Sequence, residues 1–201
     1  MLRLYDYLES GNGYKVRLVL SQLGRPFELV KLDIYSGETR TPEFLNKNPN
    51  GRIPTLELDD GTHLWESNAI IWYLADGTPL LPSKPIDRAR VLQWMCFEQY
   101  SHEPNIATPR SWVMHPNDTE DRRVMMPIKR ALGYAALKVM ERHLANNDFF
   151  VGGAYSIADV ALYAYTHVAH EGGFDLKPYK AVNAWLKRVA AKPGHIPITK
   201  G

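Results

Sequence analysis

The spacing of hydrophobic residues changes between strand-like and helical along the first part of the chain. Residues 2–8 alternate as in a strand, residues 16–23 repeat at helical spacing, and residues 26–32 alternate again. Thr41 and Pro42 then have the pattern of a helix cap followed by a first-turn proline. The pattern predicts a strand, a helix, a second strand and a short helix, in that order.

The next segment predicts a hairpin and another helix. Residues 55–58 alternate, Asp59-Asp60-Gly61 is a hairpin turn signal, and residues 63–65 form the returning strand. Ser67 stands where a helix N-cap belongs, and apolar residues at helical spacing follow over 69–74. The order strand-helix-strand, helix, strand-strand-helix is thioredoxin-like.

The rest of the chain has a helical pattern. Three prolines within residues 77–85 are typical of a linker. Ser156 and Asp159 have the spacing of a capping box that begins a further helix. Other helical patterns lie over 88–100, 126–144 and 182–189. The prolines expected to break the stretch between the first two of these are Pro104, Pro109 and Pro116.

These elements predict two domains of different class. We predict a thioredoxin-like α/β domain over residues 1–77, a proline-rich linker over 78–86 and an all-helical domain over 87–201. Apolar residues make up 45% of the 201 positions, which is enough for a core in each domain.

Charge and cysteine content narrow the possible functions. The formal net charge is +2 without a run of Lys or Arg, which argues against nucleic acid as the main partner. No stretch approaches the roughly 18 uninterrupted apolar residues of a membrane span, and the N-terminus lacks the apolar core of a signal peptide. Cys96 is the single cysteine, so an internal disulfide is impossible. We expect a cytoplasmic protein with no membrane partner.

Residues 48–71 carry most of the functional information. Pro54 opens the strand at 55–58 without an N–H to donate, and it leaves the backbone of Ile53 available to a group outside the sheet. The helix beginning near Ser67 offers free N–H groups and a positive dipole end to a carboxylate. The segment therefore predicts a site for a small, anionic, peptide-like ligand.

This segment resembles the glutathione-binding half of the cytosolic glutathione transferases. In that family the proline before the third strand is cis, and the residue preceding it pairs with the cysteinyl backbone of glutathione. A Glu/Gln-Ser pair holds the γ-glutamyl carboxylate. The resemblance implies these roles for Pro54, for Ile53, and for Glu66 with Ser67. It also implies the family's fold, a thioredoxin-like domain followed by an all-helical one, and glutathione as co-substrate without a metal.

The resemblance further implies a donor to the glutathione sulfur where the first strand meets the first helix. The thiolate is the nucleophile, whereas a thiol with a pKa of about 8.5 is only a few per cent ionised at neutral pH. Ser10 is the leading candidate, because the serine-type transferases carry a strand tyrosine five residues earlier, as Tyr5 is here. The stretch Ser-Gly-Asn-Gly-Tyr-Lys also resembles the bacterial Thr-Pro-Asn-Gly-His-Lys, which makes Asn12 a second candidate and leaves Tyr5 a third.

Two further groups complete the expected site. Arg40, Lys47 and Arg52 are nearby candidates for binding the glycine carboxylate, and Arg130 is a more distant one. An apolar or aromatic second substrate is expected between the two domains. The residues predicted to line its pocket are Tyr100, Pro104, Ala107, Arg110, Trp112 and Met114.

Other motifs suggest no competing chemistry. No Cys-x-x-Cys lies near the first helix, which excludes dithiol chemistry of the thioredoxin type, and Cys96 is predicted to be buried and inert. His167 and His170 share one predicted helix face but lack a third ligand, so we do not expect a metal site.

The leading hypothesis is a homodimeric glutathione transferase of a bacterial, serine/theta- or nu-like branch, which attacks a small hydrophobic electrophile. One alternative is a glutathione-dependent disulfide reductase or isomerase on the same fold. A noncatalytic module that binds glutathione or a protein partner is the other. The sequence does not identify the second substrate.

Overall fold

The computed structural model describes residues 1–201, which form two compact units. Unit 1 contains Met1–Thr78 and Pro193–Gly201, and unit 2 contains Pro79–Lys192. The C-terminal tail Pro193–Gly201 belongs to unit 1, whereas the sequence pattern groups it with the helices over 87–201.

Unit 1 is a four-stranded sheet with three α-helices, in the thioredoxin-like order that the sequence predicts. Its elements are β1 (Leu2–Asp6), α1 (Gly11–Gln22), β2 (Phe27–Lys31), α2 (Pro42–Lys47), β3 (Thr55–Glu57), β4 (His63–Trp65) and α3 (Ser67–Ala75). The strand order is β2-β1-β3-β4. β1 runs parallel to β2, and the other two pairs are antiparallel.

The core of unit 1 is centred on β1 and α1. Leu4 of β1 is fully buried and lies opposite Leu29 of β2 and Leu56 of β3. Helix α1 packs against α3, and its residues 13–20 are all buried. A helix buried on every side is normally apolar all round. The two exceptions in α1, Lys15 and Arg17, therefore need partners inside the unit.

A buried ion pair fixes the connection from β1 to α1. Arg17 Nε lies 2.8 Å from Asp6 Oδ2, and both side chains are fully buried. Arg17 Nη2 donates to the Leu8 carbonyl at 2.7 Å, and the Tyr7 N–H donates to Asp6 at 2.7 Å. Burial raises the pKa of Asp6, and Arg17 opposes that shift. The ion pair and these two hydrogen bonds fix the loop between β1 and α1.

The same arginine holds the C-terminal tail on unit 1. Arg17 Nη1 donates to the carbonyls of Ile198 and Lys200 at 2.6 and 2.5 Å. The Tyr14 hydroxyl donates to the Ile196 carbonyl at 2.7 Å. These three carbonyls are bonded by side chains of α1, so the tail is part of the unit's packing.

Unit 2 is all helical. Its α-helices are α4 (Pro85–Phe97), α5 (Glu103–Met114), α6 (Glu120–Leu144), α7 (Ile157–Thr166) and α8 (Lys180–Ala190). A π-helical turn, Glu98–His102, joins α4 to α5. The helix α4 begins within the stretch 78–86 that was predicted to be a linker. None of the helices is both long and apolar enough to cross a bilayer.

Two of the three prolines expected to break unit 2 lie inside a helix, whereas Pro116 lies in the break between α5 and α6, as predicted. Helix α5 includes Pro104 in its first turn and continues through Pro109, and α6 begins before Met126 and includes Pro127. A proline in the first turn removes no helical hydrogen bond, because that N–H has no partner in the helix. Pro109 is buried in the unit, so packing outweighs the bond that its missing N–H cannot make.

The predicted capping box is confirmed at α7. The Asp159 carboxylate accepts from the Ser156 N–H at 2.9 Å, and the Ser156 hydroxyl accepts from the Ala158 N–H at 3.3 Å. The Phe150 N–H and the Trp185 indole N–H also donate to Asp159. Burial nevertheless raises its pKa to about 6.

The prediction that Cys96 is buried was wrong, because the side chain is exposed. The buried face of α4 and the π-helical turn runs through Val91, Met95, Glu98 and His102, and Cys96 lies off that face. The same face leaves Leu92 half exposed.

Candidate functional site

The N-terminus of α1 presents a hydroxyl with an uncommitted proton. Ser10 is the N-cap, and its Oγ accepts from the Gly13 N–H at 3.2 Å. The Ser10 hydroxyl donates no hydrogen bond in the structure. Gly13 is required here, since a Cβ at that position would lie 1.7 Å from the carboxylate oxygen of Asp6. The capped turn therefore rests directly on the buried ion pair.

The N-termini of α1 and α3 are joined through buried polar side chains. The Ser67 hydroxyl, which is buried, donates to Asn12 Oδ1 at 3.2 Å. Lys15 Nζ lies 3.4 Å from Ser67 Oγ and 3.4 Å from Asn68 Oδ1. Two residues predicted for the site from distant parts of the sequence, Asn12 and Ser67, are thus in direct contact.

Helix α3 begins differently from the prediction. Its N-cap is Glu66 and Ser67 is its first helical residue, so the expectation that Ser67 caps the helix was wrong. The first helical bond runs from the Ile70 N–H to the Glu66 carbonyl at 2.9 Å. The Ser67 hydroxyl bonds to Asn12 rather than to its own helix, which leaves the N–H groups of the first turn without a side-chain cap.

Glu66 has a strained backbone and an unengaged carboxylate. Its φ of 68° and ψ of 108° place it among the conformations that non-glycine residues rarely adopt. Such strain costs on the order of 1–3 kcal/mol and is concentrated at functional sites. The side chain is exposed and makes no hydrogen bond or ion pair. A negative group thus lies beside the positive end of α3.

The Ile53-Pro54 peptide bond is cis. β3 begins at Thr55, which pairs with Tyr5 on one side and Trp65 on the other. The main chain of Ile53 lies just outside this ladder, and neither its N–H nor its carbonyl makes a hydrogen bond. An extended peptide can therefore pair with it.

A buried asparagine organises the turn before Ile53. Asn48 Nδ2 donates to the Arg52 carbonyl at 2.7 Å and to Thr55 Oγ1 at 3.1 Å. The Asn50 N–H donates back to Asn48 Oδ1 at 2.9 Å. Arg40, one of the predicted carboxylate ligands, donates to the Asn50 carbonyl at 3.0 Å. Asn48 thus fixes the turn in which Arg52 is exposed next to Ile53.

The hydroxyl of Tyr5 already has a hydrogen-bond partner within unit 1. It donates to Glu57 Oε2 at 2.6 Å, and its ring packs edge-on against Phe44. Burial, the hydrogen bond to Glu57 and the charge of Glu57 raise the pKa of Tyr5 to about 12. Lys47, 5.8 Å from the centre of that ring, pairs with Glu43.

The residues predicted for the second substrate all belong to unit 2 and differ in exposure. Tyr100 is 89% exposed on the π-helical turn, whereas Arg110 is buried and bonds Glu171 at 2.6 Å. Trp112 lines a cavity of about 410 Å³, and Arg122 lies over its ring. Pro104, Ala107 and Met114 are partly buried along α5. Arg130 donates to the Gly172 carbonyl at 3.1 Å.

Sequence analysis assigned no role to Lys15 or Asn48, although both lie within the segments that it singled out. Lys15 interrupts an apolar helix between Tyr14 and Val16, and a charged residue at a buried position is a signal that can be read from sequence. Asn48 gives no such signal, because asparagine is common in turns. In unit 2, His167 is the C-cap residue that follows α7, and His170 lies in the next 3₁₀ turn. No cluster of His, Cys, Asp and Glu is arranged to hold a metal.

The fold and these residues define a thioredoxin-like protein with an appended helical unit, the architecture of the glutathione transferases. The family model described as "Glutathione S-transferase, N-terminal domain" matches residues 1–76, and "Glutathione S-transferase, C-terminal domain" matches residues 105–193. The chain belongs to the glutathione S-transferase family.

Three proteins similar to this chain lie at two levels of sequence identity, one at about half and two at just over a quarter. The glutathione S-transferase of Pseudomonas fluorescens Pf-5 is 52% identical, with 99% of each chain covered and a TM-score of 0.96. The glutathione transferase URE2P8 of Phanerochaete chrysosporium, solved with oxidized glutathione, is 27% identical, with 96% of this chain and 90% of that chain covered and a TM-score of 0.86. The transcriptional regulator URE2 of Saccharomyces cerevisiae is 28% identical over 98% of this chain and 67% of that protein.

Proposed function

We propose that this chain is a glutathione transferase whose unit 1 binds glutathione and activates its thiol. The observation that carries the proposal is the N-cap Ser10, whose hydroxyl keeps its proton available to a sulfur anion. A hydroxyl that only capped α1 would serve equally well with its proton bonded to the protein. The family and the relatives solved with glutathione support the choice of ligand.

The start of α3 suits the amino-acid end of glutathione. A free γ-glutamyl group carries an ammonium and a carboxylate on one carbon. The exposed Glu66 carboxylate is a partner for the ammonium, and the uncapped first turn at Ser67 favours the carboxylate. Opposite charges thus lie side by side, as a zwitterion requires.

The middle of the tripeptide is assigned to Ile53. An extended cysteinyl residue can accept and donate main-chain hydrogen bonds there, as peptides do when they extend a sheet edge. Arg40 and Arg52 then remain as candidates for the glycine carboxylate, since Arg52 belongs to the turn that Asn48 organises and Arg40 donates a hydrogen bond to that turn. Of the two, Arg52 adjoins Ile53 directly in sequence.

Thiol activation needs only a modest stabilisation of the sulfur anion. Lowering a thiol pKa by about two units corresponds to about 2.7 kcal/mol. One hydrogen bond to a charged group contributes about 1.5–3 kcal/mol, and a helix N-terminus adds roughly 0.3–1 kcal/mol. Ser10 at the start of α1 can supply both contributions. Asn12 remains a second donor, and Tyr5 is a poorer one because it donates to Glu57.

The thiolate then attacks the electrophilic carbon of an apolar second substrate, and a leaving group departs with its electron pair. This reaction requires orientation and a thiolate, and no further acid or base. We keep the prediction that apolar residues of unit 2, including Trp112, contact this substrate. We also keep the predictions of a homodimer and of a cytoplasmic location.

A second candidate is glutathione-dependent disulfide reduction. The relative URE2P8 was solved with oxidized glutathione, and this observation favours disulfides as partners of the family's site. In that reaction the bound thiolate attacks a substrate disulfide, the S–S bond breaks, and one substrate sulfur leaves as a thiolate. A second glutathione then attacks the resulting mixed disulfide at its glutathionyl sulfur, which releases the other substrate thiolate and forms glutathione disulfide. Cys96 is not required, because both reducing thiols come from glutathione.

Binding and turnover together test the proposal. Glutathione affinity is measured first by calorimetry, followed by assays with a chloronitrobenzene and with a glutathione mixed disulfide. We expect binding and turnover of the chloronitrobenzene. Turnover of the disulfide alone would favour the second candidate. Binding without turnover would indicate a noncatalytic module, and absence of binding would overturn the proposal.

A further inference from the structure

Lys15 is an unusual residue for the place it occupies. Lysine is almost never fully buried without a partner, yet the Lys15 side chain is fully buried in the first turns of α1. An apolar side chain of similar length would fill the same space without the cost of desolvating an ammonium. Packing alone therefore does not account for a lysine here.

The contacts of Lys15 set the direction of the hydrogen bonds at Ser67. A lysine ammonium has donors and no acceptor, so Ser67 Oγ accepts from Nζ at 3.4 Å. The Ser67 proton is then given to Asn12 Oδ1 at 3.2 Å. Lys15 also donates to Asn68 Oδ1 at 3.4 Å, and Asn68 is the second residue of α3. The ammonium thus lies directly behind the start of α3.

We propose that Lys15 is a positioning residue that places a buried positive charge behind Ser67 and so strengthens binding of the γ-glutamyl α-carboxylate at the start of α3. This inference rests on the proposed function, because it specifies one ligand group of the same site. A fully buried charge is screened by salt much less than an exposed one. The effect of Lys15 therefore persists at high ionic strength, whereas the contributions of exposed arginines decline.

The test compares two ligands and three variants of the full chain. Lys15→Met removes the charge and keeps the length, Lys15→Arg keeps a charge, and Lys31→Met removes an exposed lysine of β2 as the matched control. The ligands are glutathione and γ-aminobutyryl-cysteinyl-glycine, which lacks only the α-carboxylate. Calorimetry gives each Kd, and urea unfolding establishes that each variant is folded.

We expect Lys15→Met to weaken glutathione binding about tenfold, which corresponds to about 1.4 kcal/mol, and to leave the Kd of the decarboxylated ligand unchanged. Lys15→Arg should recover most of the affinity, and Lys31→Met should match the wild type. A purely structural role would weaken both ligands equally. Equal weakening, or unchanged glutathione binding in Lys15→Met, would overturn the inference and leave the proposed function standing.

A measurement on the wild type covers the case in which Lys15→Met does not fold. The ratio of the two ligand affinities is followed from low salt to about 1 M salt, where the Debye length is about 3 Å. A ratio that persists supports a buried charge, and a ratio that collapses to one overturns it. Failure of the wild type to bind glutathione at all would instead overturn the proposed function itself.

Discussion

Replacing Ser10 by alanine should raise the pKa of the bound glutathione thiol. The hydroxyl accepts from the Gly13 N–H and has its own proton free, so the substitution removes both a cap and a donor. Loss of a hydrogen bond to a charged sulfur costs about 1.5–3 kcal/mol. At about 1.36 kcal/mol per pKa unit, the bound thiol pKa should rise by about one to two units.

The two roles of Ser10 can be separated by a second variant. Alanine at an N-cap costs about 0.5–2 kcal/mol of stability, whereas glycine costs only a few tenths. Ser10→Gly should therefore unfold much like the wild type and still show the raised thiol pKa. Ser10→Thr keeps a hydroxyl and should retain most of the activation. Tyr5→Phe should leave the thiol pKa unchanged, because the Tyr5 hydroxyl donates to Glu57.

The assay is a pH titration of the thiolate ultraviolet absorbance of bound glutathione, combined with the rate of conjugation. At neutral pH the rate in Ser10→Ala should fall roughly 3–25-fold, in proportion to the lost thiolate, and recover as the pH rises. An unchanged bound thiol pKa in both Ser10→Ala and Ser10→Gly would refute this reasoning and transfer the role to Asn12.

Three further predictions follow from other features of the structure. Glu66→Ala should weaken glutathione binding about tenfold in calorimetry, since it removes the partner for the ammonium. The free energy of unfolding should change by less than about 0.5 kcal/mol, because the side chain is exposed. Gly13→Ala should destabilise unit 1 by about 1–3 kcal/mol, because the new Cβ meets the Asp6 carboxylate, and urea unfolding measures this. Burial raises the folded pKa of Asp159 to about 6 from its ordinary 3.8, so its contribution to stability is full below about pH 4 and is lost as the pH rises through 6. The destabilisation caused by Asp159→Asn should therefore be about 2 kcal/mol smaller at pH 7 than at pH 4, and a pH-independent difference would contradict this.

Local sequence signals predicted most of unit 1 and part of unit 2. The hairpin at Gly61, the helix capped by Thr41 and the capping box at Ser156 each rest on a few adjacent residues, and the structure confirms all three. The breaks expected at Pro104 and Pro109 were wrong, because Pro104 lies in the first turn of α5 and because packing outweighs the missing hydrogen bond at the buried Pro109. Tertiary packing of this kind leaves little trace in a local pattern.

The candidate site depends on contacts between distant segments. Ser10, Ile53 and Ser67 could be named from motif and spacing, and their roles as ligand residues remain predictions. The contact of Lys15 with Ser67 could not be foreseen, because it requires the packing of α1 against α3. The docking of the tail on Arg17 is equally nonlocal, since nothing near residue 198 marks a partner on α1.

The most direct test of this account is a crystal structure of the chain grown with glutathione. The account predicts the cysteinyl main chain paired with Ile53, the γ-glutamyl carboxylate at the first turn of α3, and the sulfur within hydrogen-bond distance of the Ser10 hydroxyl. Glutathione bound away from Ile53 and Ser67, or a sulfur out of reach of both Ser10 and Asn12, would contradict it.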